Sequence, residues 1–178
     1  MRTTQESDER EEPEMSTEDR IAALELRLRT AEDHLEILNL LMSYGPLADS
    51  CSVEEAKTQW VPGGGYNYGL PGGGSQRLEA PEPLGDIWRQ EAHIDLTGTG
   101  SAHMSATPKI SVKGDTAEAV GYSLVIKREG ERWFVWRAAI NHWALVRSAQ
   151  GWRVSEKFNR TLDGSKESQE VMKRIITL

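Results

Sequence analysis

Four histidines, His34, His93, His103 and His142, and one cysteine, Cys51, are the side chains of this 178-residue chain best suited to proton transfer, nucleophilic attack or metal ligation. Their spacing narrows the chemistry. The histidines are scattered, no His-x-x-x-His or Cys-x-x-Cys pattern occurs, and the acids lack a ligand-like arrangement, so no metal site is expected. No Gly-x-Ser-x-Gly string supplies a hydrolase nucleophile. Cys51 stands alone, which excludes an internal disulfide, and it reads as a small buried or half-buried thiol. Acid–base work is a further chemistry open to a histidine. An imidazole in an apolar cavity can take a proton next to a carbonyl or a leaving group. A carboxylate on its other nitrogen would fix the tautomer and stabilise the imidazolium that forms.

Such a pair needs a core around it, and the composition supplies one. The chain is 38% hydrophobic with six tryptophans, and its length suits a single domain. The net charge of −7 argues against nucleic-acid binding, which needs a basic face. Residues 1–20 hold eight acids and three arginines, so most of that acidity belongs to the N-terminal segment. Residues 1–16 are too polar to offset their ordering entropy and are expected to form a disordered acidic tail. No apolar run is long enough to span a bilayer and no secretion-type apolar region follows Met1, so a cytoplasmic location without membrane attachment is the expectation.

From Ser16 a capping-box-like Ser-Thr-Glu-Asp opens a helix. Ile21, Leu24, Leu28, Ala31, Leu35, Leu38 and Met42 then recur at three- and four-residue steps, predicting a long amphipathic helix that ends near Tyr44-Gly45-Pro46. Its first half could pair with a neighbouring chain as a short coiled coil, but packing against its own sheet is the simpler expectation. Val53 to Trp60 reads as a further helical turn or two. Residues 61–85, punctuated by Pro62-Gly-Gly-Gly65 and Pro71-Gly-Gly-Gly74, read as a loop with one short strand and not as a phosphate loop, since no Lys-Ser or Lys-Thr follows. Leu84 to His93 reads as a short helix with Ile87 and Trp88 turned inward.

Lys109–Val112, Ala117–Lys127, Trp133–Arg147 and Trp152–Thr161 are β-prone runs joined by the turn signals Gly114-Asp115, Glu129-Gly130 and Gln150-Gly151. A final helix covers residues 166–178. Helices followed by consecutive hairpins give an α+β class, with the N-terminal helices in the concave face of a strongly curved, cone-shaped mixed or antiparallel sheet. The domain proper spans residues 17–165.

That element order and several local strings resemble the SnoaL-like members of the nuclear-transport-factor-two-like superfamily, which includes scytalone dehydratase-like and polyketide cyclase-like pocket domains. The likeness runs from about Ile21 to Thr161. It is carried by Tyr44-Gly-Pro-Leu-Ala-Asp49, by Ala102-His103-Met-Ser with Ile110-Ser-Val-Lys-Gly-Asp115, and by Asn141-His-Trp-Ala-Leu-Val-Arg147 leading into Gly151-Trp152-Arg-Val. The resemblance implies an Asp–His pair at Asp49 and His103, with His103 as general base and Asp49 as its orienting partner. Asn141, with Tyr66 or Tyr68, would hold a substrate oxygen, Trp88 and Trp143 would wall a ring system, and Tyr44 would border the pocket. The chain departs from its relatives at Tyr122 and Ser123, where dehydratases of the superfamily carry a second histidine. It departs again at Trp143, where many relatives place an acidic or polar residue.

The expected activity is a cofactor-independent lyase, dehydratase or isomerase acting on a hydrophobic cyclic substrate of polyketide, steroid or terpenoid type. A non-catalytic ligand-binding or dimerisation module of the same fold is the alternative. An Asp49–His103 separation within about 3.2 Å favours the first. His34 and His93 read as exposed helical positions. His142, next to Asn141 on a strand, must face the opposite side and reads as an interface or surface residue. Trp133, Trp136, Tyr122 and Trp143 place aromatics on both sheet faces, so a homodimer packed back to back through the outer face is expected.

Overall fold

The computed structural model describes residues 15–70 and 73–178; most of the acidic tail, and Pro71 with Gly72, lie outside the described residues. Helix α1 (Thr17–Asp49) starts where the Ser16 hydroxyl accepts the Asp19 amide and donates to the Asp19 carboxylate, so Ser16 caps the helix and a hydroxyl–carboxylate bond stands in for the reciprocal half of a capping box. The helix does not stop at Tyr44-Gly45-Pro46. Pro46 forfeits one hydrogen bond, yet the ladder resumes beyond it, with the Ser50 amide donating to the Pro46 carbonyl at 3.0 Å, and the helix runs to Asp49. Packing against the strand that carries His103 outweighs the missing donor.

Only the second half of α1 packs on the sheet, through the stripe Asp33, Ile37, Leu41, Gly45 and Ala48. Ile21, Leu24 and Leu28 remain exposed, so the expectation that the whole helix lies on its own sheet does not hold. Asp33 anchors the packed half. It receives both terminal nitrogens of Arg147 at 2.8 Å and the Trp152 indole N–H at 3.1 Å, while the guanidinium stacks 4.5 Å above the Trp152 ring.

After α2 (Val53–Lys57) come β1 (Trp60–Gly69) and β2 (Ser75–Glu79), an antiparallel hairpin where a loop with one short strand was expected. Trp60, expected at the end of a helical turn, opens β1. The region expected as one helix from Leu84 is two, α3 (Glu82–Trp88) and α4 (Glu91–Thr99), broken at Arg89-Gln90. Then follow β3 (Ser101–Ser105), β4 (Lys109–Lys113), β5 (Thr116–Glu129), β6 (Arg132–Ser148), β7 (Gly151–Thr161) and α5 (Lys166–Thr177).

The strands form one mixed, curved sheet in the order β2-β1-β7-β6-β5-β3, with β4 also paired to β5. The β1–β7 pair is parallel and the others are antiparallel. The helices α1 to α4 fill the concave side, where Ile37, Leu41, Trp60, Leu84, Trp143, Leu145, Trp152 and Val154 make the main core. Helix α5 lies on the convex side, with Val171 packed on Val120 and Ile140. It covers His142, which stacks on Phe158 and is 3% exposed, so His142 is a buried residue and not a surface one. Among the described residues no helix is long and apolar enough to cross a membrane.

Candidate functional site

The C-terminal end of α1 and the strand β3 meet without a side chain between them. Gly45 lies against the His103 backbone, and a Cβ there would overlap the His103 carbonyl oxygen. This contact sets Asp49, one helical turn further on, beside β3. The Asp49 carboxylate accepts three hydrogen bonds: from the Ser101 hydroxyl at 2.6 Å, the His103 amide at 2.7 Å and His103 Nδ1 at 2.7 Å. The other ring nitrogen of His103, Nε2, makes no hydrogen bond to a described residue.

Burial pulls the Asp49 carboxyl upward, but the donors from Ser101 and His103 outweigh it and hold its pKa below the ordinary carboxylate value. Burial lowers His103 below 6.5 even though Asp49 pulls the other way. At neutral pH the pair is therefore an ionised carboxylate and a neutral imidazole. That is the state a general base requires.

His103 opens onto a cavity of about 250 Å³ that is also lined by Tyr44, Tyr66, Trp88, Asn141 and Trp143. Its volume, just under the usual range for ligand clefts of about 300–1,000 Å³, suits a one- or two-ring molecule. Tyr44 stands edge-on to Trp88 and Trp143, each 5.6 Å away between ring centres. Tyr68 is not in the lining. Its hydroxyl donates to Gln76 at 3.0 Å and its ring backs that of Tyr66.

Asn141 does not present a free amide. Its Nδ2 donates to the Ser123 hydroxyl at 2.8 Å and its Oδ1 accepts from Asn159 at 2.8 Å, while Asn159 accepts from Arg137 at 3.0 Å. This chain fixes the orientation of the Asn141 and Asn159 amides in the cavity wall.

Several residues of the site carried no sequence signal. His93, expected on an exposed face, stacks on Trp88, donates Nε2–H to the Ala48 carbonyl at 2.9 Å, and lies 5.8 Å from the His103 ring. Lys157 is 3% exposed, with Nζ over the rings of Tyr44, Trp143 and Tyr66 at 3.5, 4.2 and 4.7 Å. Burial first, and the nearby Arg137 second, push its pKa well below 10.5. Lys157 reaches the cavity because β7 is bulged. Leu145 pairs with Val154 but Ala144 pairs with Glu156, so Ser155 is the extra residue and the inward phase passes from Trp152 and Val154 to Lys157 and Asn159.

The profile of the SnoaL-like domain family matches residues 29–157. The chain belongs to this family. A similar solved structure is an NTF2-like protein with a cystatin-like fold from Novosphingobium aromaticivorans. It is 32% identical, with 85% of this chain and 96% of that chain covered and a TM-score of 0.78. Two more distant structures share the fold. One, from Streptomyces avermitilis, is provisionally named a dehydratase of the NTF2-like family (12% identity, 75% and 98% covered, TM-score 0.55). The other is the beta subunit of what is provisionally named an aromatic-ring-hydroxylating dioxygenase from Novosphingobium aromaticivorans (14%, 74% and 90%, TM-score 0.57). No curated protein matches the chain. Membership in the SnoaL-like family gives the cone-like α+β fold around a pocket; the chemistry must be argued from the side chains in it.

Proposed function

We propose that this SnoaL-like protein is a cofactor-independent lyase of dehydratase type, or an isomerase, acting on a small hydrophobic cyclic substrate. The observation that carries the reading is the 2.7 Å bond from His103 Nδ1 to a carboxylate that two further donors hold in place. It leaves Nε2 as the basic nitrogen beside an aromatic cavity. In a dehydration, Nε2 takes the proton next to a carbonyl and the C–H electrons form the new double bond. The hydroxyl on the adjacent carbon leaves as water, carrying away that proton. In an isomerisation the imidazolium returns the proton to a different carbon. Asp49 stabilises the imidazolium in both cases. Trp88 and Trp143 supply faces for the ring, and Tyr44, Tyr66 and the Asn141 chain supply polar edges.

The test is a panel of cyclic β-hydroxyketones followed by mass spectrometry for loss of one water, with wild type and His103→Ala compared. Turnover that His103→Ala abolishes supports the proposal. Compounds that bind to the wild type but are not turned over would leave a non-catalytic binding pocket as the function. A cytoplasmic setting belongs to the same reading, as does a homodimer. Helix α5 covers part of the convex face. Tyr122, Trp133 and Val135 stay exposed on that face, and they are the surface through which the sheets would associate if the N-terminal helices do not pair the two copies.

A further inference from the structure

Arg137 and Lys157 give the cavity two basic side chains and no acid to balance them. Among the described residues neither has an ion-pair partner. Arg137 Nη2 is spent on the neutral Asn159 amide, and Arg137 Nε is buried with no hydrogen bond. Lys157 Nζ meets only aromatic faces, which favour a cation but accept no strong hydrogen bond. Asp49 already accepts three hydrogen bonds and is not among the residues that line the cavity. The buried Lys157 and the half-buried Arg137 repel each other and are short of acceptors, a state that a bound anion reverses.

We propose that the substrate bears a carboxylate, seated between Lys157 and Arg137, with its ring against Trp88 and Trp143 and its reacting carbon toward His103. This rests on reading the cavity as the substrate site. A carboxylate would offset the burial and the Arg137 charge that destabilise the Lys157 ammonium.

Calorimetric titration with 2-naphthoate, 2-naphthamide and 2-naphthol, which share a ring system and differ in charge, tests this directly. The naphthoate is expected to bind at least tenfold tighter than the amide. Lys157→Met and Arg137→Gln should each collapse that ratio toward one. Equal binding of acid and amide by the wild type overturns the proposal without recourse to any variant. A preference for the naphthol also overturns it, in favour of a site for a transient enolate. His103→Ala should keep the naphthoate preference, so failure of the acid–base reading and failure of the carboxylate site are told apart.

The exposed half of α1 carries an independent inference. Ile21, Leu24, Leu28, Ala31, Leu35 and Leu38 occupy the a and d positions of three heptads, and Met42 opens a fourth. The stripe that packs on the sheet lies on a different face of the helix, so Ile21, Leu24, Leu28 and Leu35 stay between 51% and 60% exposed. Arg20 and Arg27 fall at g, Glu25 and Glu32 at e. In a parallel, in-register pair each g residue faces the e residue five positions on in the other helix, so Arg20 meets Glu25 and Arg27 meets Glu32. An antiparallel pair would set arginine on arginine and glutamate on glutamate. The geometry points to a parallel two-stranded coiled coil between two copies of this chain.

Sedimentation of the full chain should show a dimer that Leu28→Glu converts to a monomer. Arg27→Glu should weaken it, and adding Glu32→Arg to that variant should restore it. A wild-type monomer overturns the inference. So does a dimer that survives Leu28→Glu, a result that would point to the convex sheet face.

Discussion

Gly45 and His103 touch backbone to backbone: the helix that ends in the candidate carboxylate and the strand that carries the candidate base are joined where only glycine fits. A methyl group at this point cannot be absorbed by a rotamer change, because the atom it meets is a main-chain carbonyl oxygen. Gly45→Ala is expected to push β3 away from α1, costing about 1–3 kcal/mol of stability and lengthening the Asp49–His103 bond. Urea unfolding combined with turnover measures both. Unchanged stability and unchanged activity would refute the tight contact.

The acid–base reading has a pH signature. With His103 held below 6.5, the catalytic neutral imidazole persists below that pH, so the acid limb of kcat/KM should lie under 6.5. Asp49→Asn removes an influence that raises the His103 pKa. The limb should then move further toward acid, while kcat falls by about 10²–10⁴-fold through loss of orientation and of imidazolium stabilisation. A limb that moved toward alkaline pH would contradict the electrostatic arrangement.

Lys157 should act against stability. In the unfolded chain the amine keeps its proton up to about pH 10.5, whereas in the folded protein its pKa lies well below that. Folding therefore expels a proton between the two values, and the penalty is largest at low pH and fades as pH approaches the unfolded pKa. Lys157→Met should be more stable than wild type at neutral pH, with the gap closing above pH 10.5. Denaturation at the two pH values checks this, and a pH-independent difference would argue against a shifted lysine.

The Asp33–Arg147–Trp152 cluster makes the opposite prediction. Asp33→Ala leaves the Trp152 indole N–H and the guanidinium without their acceptor, with Asp33 itself only 6% exposed in the wild type. Arg147 is partly exposed and retains Asp115, so the loss should be about 3 kcal/mol and not more. The cavity lies at the other end of the packed half of α1, and its ligand affinity at temperatures where the variant is folded should be unchanged.

Much of the fold was legible in the sequence because the dominant signals are periodic. Seven apolar residues at heptad spacing specify α1, and three Gly-containing turns between β-prone runs specify β4 to β7. The strings around Asp49, His103 and Asn141 marked three positions of the site, and five of the proposed wall and contact residues, Tyr44, Tyr66, Trp88, Asn141 and Trp143, do line the cavity. Propensity misled where long-range pairing prevailed. The Gly-rich segment beginning at Trp60 becomes a strand because β7 offers it a parallel edge, and Pro46 sits inside a helix because β3 packs over that turn.

Sequence alone determined the long first helix, the run of strands β4 to β7 and the kind of chemistry available, since these follow from side-chain identity and local periodicity. Tertiary structure decided which side chains face the cavity. Strand alternation counted from Trp152 and Val154 turns Glu156 and Phe158 inward; a single extra residue at Ser155 turns Lys157 and Asn159 inward instead. A strand has only two faces, so one bulge reverses every assignment beyond it. Where that extra residue falls is settled by pairing with β6, and no local pattern in β7 records it.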